Sequence, residues 1–406
     1  MHPKHLSRSI ATIAVASCLS QGALASGFAI PELSVAGLAL SNAMVANSVD
    51  LGAIPYNPAA MAFHKGNSFS VGGMFVKPGL SVKTHNGDFD SDANDPVFVP
   101  FLQGVFQPTE RFSLGLTVGA PFGLETDWLP GTFSAPAPQL QPTIATNTKL
   151  ELVDVSPIFA FRINDNLSIG GGVDYYNART VIFDTAVVSV EGGGEGFGWN
   201  IGALWQSGQW SFGASFRSSA TVGLSGNFNA PGVGLPIVAD LDIPSRLQVG
   251  VRYQVNSALA VEFDITRTGW SDFDNLVVSA PAPFNAELVN SKNGWNDVNA
   301  YRVGISYQLY PATQLRFGYT FDETPQPDEH FSARTPDADR HLFSIGVSHV
   351  LASGWTLEAA YMYVKFQDRT VSGPPQTGPD ANGTATYAGE YNSDVNLLGA
   401  SISKSF

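Results

Sequence analysis

The feature that most constrains this chain is a strict alternation of apolar with small or polar residues, which recurs over most of its length. In one such stretch Phe112, Leu114 and Leu116 alternate with Ser113 and Gly115. Successive side chains of a β-strand point to opposite faces, so a period of two predicts strands with one apolar face. Beyond the N-terminal region no run of 18 or more apolar residues occurs, which argues against membrane-spanning helices.

The connections between the predicted strands alternate between short and long. Short turns lie near residues 107–111, 164–166, 207–209, 256–257, 311–313 and 352–354, and long Pro/Gly/Asp-rich loops lie near 78–96, 121–146, 178–196, 222–243, 268–296, 322–340 and 367–394. Thirteen connections join fourteen strands. An even strand number with all long loops at one end is typical of bacterial outer-membrane barrels, whose sheet closes because lipid cannot satisfy a strand edge. The sequence therefore predicts an all-β, 14-stranded antiparallel transmembrane β-barrel over residues 67–406.

The first 25 residues have the features of an export signal. Lys4 and Arg8 precede an apolar stretch over residues 10–19, and an A-x-A cleavage motif ends at Ala25. The alternative is a lipoprotein signal in which Cys18 is the lipidated residue. Cleavage at Ala25 leaves a mature chain without cysteine, which excludes disulfides and thiol chemistry.

Residues 26–66 lack the period of two and are rich in Ala, Ser, Gly and Asn. Short helices fit residues 35–46 better than strands do. The segment is too small and too poor in bulky apolar residues to form a domain of its own. Because a 14-stranded barrel has a lumen wide enough to leak, we expect this segment to fill it as a plug, or hatch.

Composition and missing motifs exclude several classes of function. The formal net charge of −14 argues against nucleic-acid binding. No G-x-S-x-G motif is present, and the adjacent Ser348 and His349 face opposite sides of a strand, so we predict no enzyme activity and no cofactor. The acidic loop from Asp88 to Asp95 has Ala93 where an EF-hand needs glycine, so no metal site is predicted. It is interpreted as a solvated loop that divalent ions could bridge to lipopolysaccharide.

Several blocks of sequence resemble the FadL/TodX family of outer-membrane transporters. They are Gly27-Phe28-Ala29-Ile30-Pro31-Glu32, Ser34-Val35-Ala36-Gly37-Leu38, Asn57-Pro58-Ala59 and, after the third predicted strand, Pro121-Phe122-Gly123-Leu124-Glu125-Thr126-Asp127-Trp128. The match runs over the mature chain in the family's order, but the usual second glycine after Gly37 is missing. The resemblance implies a 14-stranded barrel with an N-terminal hatch, and import of long-chain fatty acids or of aromatic and aliphatic hydrocarbons.

The third predicted strand ends in a proline. Proline cannot donate to a ladder, so either the strand has already ended there or it bulges and opens the wall. The resemblance favours an opening, because family members have a kinked third strand that forms a lateral gate, with the Asn-Pro-Ala motif near it. The predicted hatch and gate residues are Asn57, Pro58, Ala59, Gly119, Pro121, Phe122 and Gly123.

Two further sets of residues are candidates for ligand binding. Four arginines fall on the polar faces of their strands: Arg217, Arg252, Arg302 and Arg316. They could form ion pairs that hold the hatch to the wall, or one could bind a ligand carboxylate through its planar fork. Three apolar residues of the 222–243 loop form either an outer groove for ligand or a cap over the barrel mouth: Phe228, Leu235 and Ile237.

The sequence thus predicts a monomeric outer-membrane channel of a Gram-negative bacterium, surrounded by lipid and lipopolysaccharide. Its predicted ligands are hydrophobic small molecules, with long-chain fatty acids favoured. A hydrocarbon transporter of the same fold is the alternative, and a general porin is opposed by the plug-like segment and by the low share of charged residues, 14%. An adhesin role for the loops is compatible with transport.

Overall fold

The computed structural model describes residues 27–134, 144–372 and 387–406 of the 406-residue chain. The predicted export signal, with Cys18 and the cleavage site at Ala25, lies outside these residues. Twenty strands form one sheet: β1 Ser68–Thr84, β2 Gly87–Asp90, β3 Val97–Thr109, β4 Phe112–Asp127, β5 Ala145–Arg162, β6 Leu167–Thr185, β7 Ser189–Ser207, β8 Trp210–Arg217, β9 Ala220–Ala230, β10 Val233–Ile243, β11 Ser245–Gln254, β12 Leu259–Gly269, β13 Asn275–Ala280, β14 Ala286–Lys292, β15 Val298–Tyr310, β16 Thr313–Asp322, β17 Arg340–Val350, β18 Trp355–Phe366, β19 Arg369–Val371 and β20 Gly389–Ser405.

Helical structure is sparse. One α-helix, α1, spans Val35–Ala39, and the 3-10 helices span Leu51–Ala53, Pro58–Phe63, Trp270–Asp272 and Asp328–His330. Among the described residues, no helix is long and apolar enough to cross a membrane.

Fourteen of the strands form the wall: β1, β3, β4, β5, β6, β7, β8, β11, β12, β15, β16, β17, β18 and β20. Each pairs antiparallel with the next, and β20 returns to β1 over a register that runs from Ser68↔Ser405 to Lys83↔Glu390. The last strand therefore pairs with the first, and the sheet closes. The predicted 14-stranded antiparallel barrel is confirmed. Six tight turns lie at one end, and six longer connections and the turn of the long β6–β7 hairpin lie at the other.

The alternation in sequence divides the wall into an outer and an inner face. In β4 the side chains of Leu114 and Leu116 are 44% and 40% exposed, whereas that of Ser113 is fully buried. Large apolar side chains that are exposed along the whole outer wall are the expected contact with lipid acyl chains. The polar and small residues point inward, so the interior can hold hydrogen-bonded and charged groups.

Three of the predicted loops are instead largely β-structure. Residues 178–196 continue β6 and β7 as a long hairpin, residues 222–243 form the β9–β10 hairpin, and residues 268–296 include β13 and β14. Apolar residues in these segments pack on one another above the wall in a cluster that includes Val190 and Ile237. Burial of apolar surface in this cluster stabilises these strands, so they continue beyond the part of the barrel that is predicted to span the membrane. The sequence predicted loops in these three segments, and that prediction was wrong.

Residues 27–66 lie against inward faces on opposite sides of the barrel. Ser344 Oγ on β17 donates to the carbonyl of Ala39 at 3.0 Å. The carboxylate of Asp264 on β12 accepts the backbone N–H of Met44 at 2.8 Å, and on the far wall Ser168 Oγ of β6 donates to the carbonyl of Ala59 at 2.8 Å. Side chains of the wall thus hydrogen-bond backbone groups of this segment that have no sheet or helix partner.

Of the short helices expected within residues 35–46, the structure has one, α1, and it ends at Ala39. α1 stops at Ala39 because Ser41 and Asn42 adopt the left-handed region, with φ of 51° and 66°. This is the stretch in which the family resemblance leads one to expect a second glycine. Asn42 tolerates the conformation better than most residues, and its side chain is held from both ends, by Glu32 at 2.8 Å and by the hydroxyl of Tyr56 at 2.8 Å.

Candidate functional site

The barrel wall is interrupted where β4 passes the proline. Gly119 pairs with Asp154 and Phe122 with Leu152, so two residues of β4, Ala120 and Pro121, lie opposite one residue of β5. This arrangement is a β-bulge, which bends the strand. On the other edge, the β3–β4 ladder reaches outward only to Leu102↔Val118, although β3 continues to Val97. The described part of the wall is therefore open between residues 97–101 and 119–123.

The chain's own N-terminal residues occupy the free edge of β4. Ala29 forms a bridge with Phe122. Ile30 N–H donates to the carbonyl of Pro121 at 2.7 Å, and Gly123 N–H donates to the carbonyl of Phe28 at 2.9 Å. Residues 28–30 therefore take the place that β3 leaves along this stretch, and they close the interruption with two hydrogen bonds.

An aromatic cluster holds residues 28–30, which we call the strip, in place. The ring of Phe28 lies 4.7 Å from Trp270, 5.2 Å from Phe273, 5.8 Å from Phe122 and 5.9 Å from Trp295, measured between ring centroids. Edge-to-face contacts of this kind are each worth about 0.5–1.5 kcal/mol beyond burial. In the sequence, Phe28 stands out only as part of a motif. That motif does not indicate that Phe28 lies beside Phe122, 94 residues later in the chain.

The Asn-Pro-Ala motif lies elsewhere in the N-terminal segment. Asn57 is fully buried, and its side-chain amide donates to the carbonyls of Val45 at 2.8 Å and Ala203 at 3.0 Å. Its carbonyl oxygen accepts Ala59 N–H at 3.1 Å and caps the 3-10 helix that begins at Pro58. Among the described residues, the hydrogen bonds of the motif lead to β6, β7 and Val45, and none leads to the β4 bulge.

Replacement of Asn57 by alanine is expected to loosen the N-terminal segment without preventing barrel assembly. The change removes the side-chain partner of the buried carbonyl of Val45 and of the N–H of Ala59, at about 1–3 kcal/mol each, whereas no barrel strand loses a ladder bond. We expect faster proteolysis within residues 27–66 of the purified variant, with normal heat-modifiable migration on gels. Asn166→Ala, a change at an exposed turn, is the control, and equal protease resistance of the Asn57 variant would contradict the assigned role.

A narrow cavity of about 40 Å³ lies between the N-terminal segment, the β4 bulge and the opposite wall. It has room for only a few water molecules, so a larger ligand would enter only if the residues around it moved. Its lining, which is mostly apolar by area, comprises Ala29, Pro31, Asn42, Tyr56, Pro121, Phe122, Tyr176, Arg217, Pro244, Arg246, Gln248, Thr266, Thr268, Ala300, Arg302, Asp322 and Arg340. The cavity therefore touches both the bulge and the strip that closes it.

Two of the four arginines at the cavity are neutralised by carboxylates. Arg217 forms ion pairs with Asp174 and, at 3.1 Å, with Asp154. Arg340 binds Asp322 through two guanidinium nitrogens. Because these pairs are buried, removal of one partner would leave an uncompensated charge, which makes them structural elements of the wall.

Arg246 and Arg302 are the other two arginines at the cavity, and the carboxylates of Asp264 and Glu32 interact electrostatically with Arg302. Among the described residues, no carboxylate lies within ion-pair distance of Arg246 or Arg302. Arg302 donates one bond, 2.7 Å long, to the hydroxyl of Thr266, and its buried Nε has no acceptor. Arg246 was missed in the sequence although it precedes Gln248 by two positions and so shares its inward face.

Glu32 is not part of the cavity lining, so it does not neutralise Arg246 or Arg302 by direct contact. It is buried beneath the cavity, where its carboxylate accepts the amide of Asn42 at 2.8 Å. Burial raises the pKa of Glu32 above its ordinary value, while the hydrogen bond from Asn42 and the charge of Arg340 oppose that rise. Burial therefore disfavours the charged form of the acid near the cavity floor.

Arg252 and Arg316, the other predicted anchors, lie towards the short-turn end of the barrel. Arg252 pairs with Glu262 at 3.3 Å. Arg316 bridges Glu358 on the wall, at 2.6 Å, and Asp50 of the N-terminal segment, at 2.5 Å. The structure thus places these two in ion pairs, and Arg316 joins the N-terminal segment to the wall.

The predicted outer groove is only partly assembled. Ile237 is buried in the cluster above the wall and lines a small apolar cleft with Val190 and Val278. Phe228 and Leu235 pair with each other further along the β9–β10 hairpin and do not line that cleft. One of the three groove residues therefore faces the cleft.

Comparison with known proteins places this geometry in a family. Residues 16–406 match the model of the outer membrane protein transport protein family (OMPP1/FadL/TodX). The long-chain fatty acid transport protein of Salmonella typhi is 23% identical over 91% of this chain and 94% of its own. Outer membrane protein P1 of Haemophilus influenzae is 24% identical over 95% of this chain and 96% of its own.

Solved structures share the fold at lower identity. A Pseudomonas aeruginosa FadL homologue superposes with a TM-score of 0.79 at 19% identity, covering 94% of this chain and all of that one. The Pseudomonas putida toluene transporter TodX gives 0.65 at 16% identity, covering 91% and 98%. The barrel, its gap at the third wall strand and the family match together identify the chain as a member of the OMPP1/FadL/TodX family, an outer-membrane transporter for hydrophobic compounds.

Proposed function

We propose that this transporter takes up long-chain fatty acids and releases them sideways into the membrane through the interruption between β3 and β4. The observation that carries the proposal is a mostly apolar cavity in which Arg246 has no acidic partner among the described residues. A partly buried guanidinium without a counter-ion is unfavourable, and an incoming carboxylate offsets that cost. A neutral hydrocarbon offers no such compensation.

The proposed carboxylate anchor is Arg246, assisted by Arg302. Arg246 can offer both edges of its guanidinium, which suits bidentate binding of a carboxylate. Arg302 lines the same cavity and brings a second guanidinium to it. Hydrogen bonds to a charged group contribute about 1.5–3 kcal/mol, while each buried methylene of the tail contributes about 0.8 kcal/mol.

Residues 26–66 act in this proposal as the hatch, which fills the lumen below the cavity. The strip 28–30 is the part that moves, since two backbone hydrogen bonds hold it to β4. Its departure would join the cavity to the gap beside Pro121. Lateral exit suits an acyl chain, because passage through water would cost about 0.8 kcal/mol per methylene.

Hydrocarbon transport is the second candidate. It is favoured by the aromatic cluster around Phe28, which would suit an aromatic ring if the side chain of Phe28 left it. Under this reading the arginines of the cavity would be structural only. The two candidates differ in whether ligand binding depends on a carboxylate.

Binding of oleate and of oleyl alcohol to the purified protein separates them. The ligands share the tail and differ in the head, so their difference in affinity isolates the contribution of the charged group. We expect oleate to bind at least about tenfold more tightly, as one charge-assisted hydrogen bond implies. Equal affinity of the two ligands, with toluene binding as well, would favour hydrocarbon transport.

A further inference from the structure

The connection between β16 and β17, residues 323–339, is folded across the outer mouth of the barrel rather than projecting from it. Phe331 and Ala333 are fully buried. From the β4 side, Trp128 Nε1 donates to the carbonyl of Ala333 at 2.8 Å, and Thr126 Oγ1 donates to that of Arg334 at 3.1 Å. We call residues 323–339 the lid.

A single arginine of β19 holds the opposite side of the lid. Arg369 donates to the carbonyl of Asp337 and, at 2.9 Å, to the carbonyl of Gln326. Its guanidinium also pairs with Asp328 at 2.6 Å and lies 4.9 Å from the ring centroid of Phe331. Arg369 thus contacts the lid at four positions along its length.

The lid is also bonded to the strip that closes the wall. The carboxylate of Asp337 accepts the backbone N–H of Gly27 at 3.1 Å and the hydroxyl of Thr324 at 2.7 Å. The next residue, Phe28, begins the strip that pairs with β4. A short path of four residues therefore runs from Arg369 through Asp337 and Gly27 to Phe28.

We propose that Arg369 is a positioning residue that clasps the lid and, through Asp337, holds residues 27–30 against the free edge of β4. Opening of the outer mouth and release of the strip are then one event. Arg369 contacts neither the cavity nor its proposed ligand, so it acts only through the lid. The part this coupling plays in transport rests on the proposed function, but the coupling itself is a property of the empty protein.

The shape of the guanidinium explains how one residue can contact the lid at four positions. Arginine has five donors in a rigid plane, so it can reach two carbonyls and a carboxylate while its face stacks on a ring. Lysine keeps the charge but loses the fork. The ion pair with Asp328 contributes little, because the side chain of Asp328 is 78% exposed. The bonds to the two backbone carbonyls are therefore the ones expected to hold the lid.

The test measures thiol labelling at the strip and at the lid in the protein without ligand. Ala29→Cys reports on the strip and Ala333→Cys on the lid, and the parent without either change gives the blank. Each reporter is combined with Arg369→Ala, with Arg369→Lys, and with Arg267→Ala, the last as a control because Arg267 forms an exposed ion pair with Asp297. Heat-modifiable migration verifies assembly, and Arg369→Lys replaces the alanine variant if that variant does not assemble.

We expect Arg369→Ala to raise the labelling rate at both reporters by about tenfold or more, as loss of two or more hydrogen bonds implies, with a smaller rise for Arg369→Lys and none for Arg267→Ala. A rise at position 333 alone would overturn the coupling between lid and strip. Unchanged labelling at both positions would overturn the clasp itself. Since no ligand is present, none of these outcomes depends on whether the protein carries fatty acids.

Discussion

Deletion of Pro121 is expected to remove most of the uptake of hydrophobic ligand while the barrel still assembles. At the bulge, Ala120 and Pro121 lie opposite a single residue of β5. Deletion of Pro121 leaves Ala120 alone opposite that residue, so the pairing becomes regular. Phe122 keeps Leu152 as its partner, and the side chains after Phe122 still point to the same faces of the sheet. A regular β4 then has no bulge to bend it away from β3, and the wall closes. We expect uptake to fall by about tenfold or more, measured in cells that lack their own transporter.

The matched control is Pro121→Ala, which keeps the number of residues and therefore the bulge. A smaller loss of uptake is expected for it. Ligand binding by the purified deletion variant should persist, because most of the cavity lies on other strands. Uptake at the parent rate by a well-assembled deletion variant would show that the gap beside Pro121 is not the exit.

Arg246→Ala is expected to weaken oleate binding by about 10- to 150-fold, the equivalent of a lost charge-assisted bond of about 1.5–3 kcal/mol. Binding of oleyl alcohol should change far less, because only the carboxylate uses the guanidinium. Arg246→Lys should fall between the two, since it keeps the charge without the fork. Titration of both ligands against each purified variant checks this.

The control for that series is Arg267→Ala, which removes an exposed guanidinium outside the cavity. It should bind both ligands as the parent does. A variant of Arg246 in which both ligands weaken equally would indicate a disturbed cavity rather than a lost anchor. Unchanged oleate binding would show that Arg246 is not the anchor. The carboxylate would then be bound by Arg302 or by no arginine of the cavity.

The wall could be predicted from the sequence because its signal is local. Each wall strand carries its own period of two, as in residues 112–118, and each tight turn has its own Gly, Asn or Pro, so fourteen strands could be counted without knowledge of their partners. The same period was overlooked in residues 178–196, where glycines such as Gly192 and Gly194 leave gaps in the apolar alternation. There the strands are stabilised by β9 and by neighbouring hairpins, which local sequence does not reveal.

The site could be predicted only in part, because it depends on contacts between distant residues. The chemistry of proline allowed either a strand end or a bulge at Pro121, and the family resemblance favoured the opening that a bulge makes. That Phe28 lies beside that bulge, and that Arg217 faces two carboxylates while Arg246 faces none, are consequences of register across several strands. All these arginines share one inward face, so alternation alone could not separate an anchor from an ion pair.

Uptake of radiolabelled oleate and toluene by a transporter-deleted host that expresses this chain tests the central claim most directly. The account predicts saturable oleate uptake well above that of the empty host, toluene uptake no higher than that host's, and loss of the oleate signal in the Pro121 deletion. Uptake of toluene without oleate, or of neither ligand by a well-assembled protein, would contradict it.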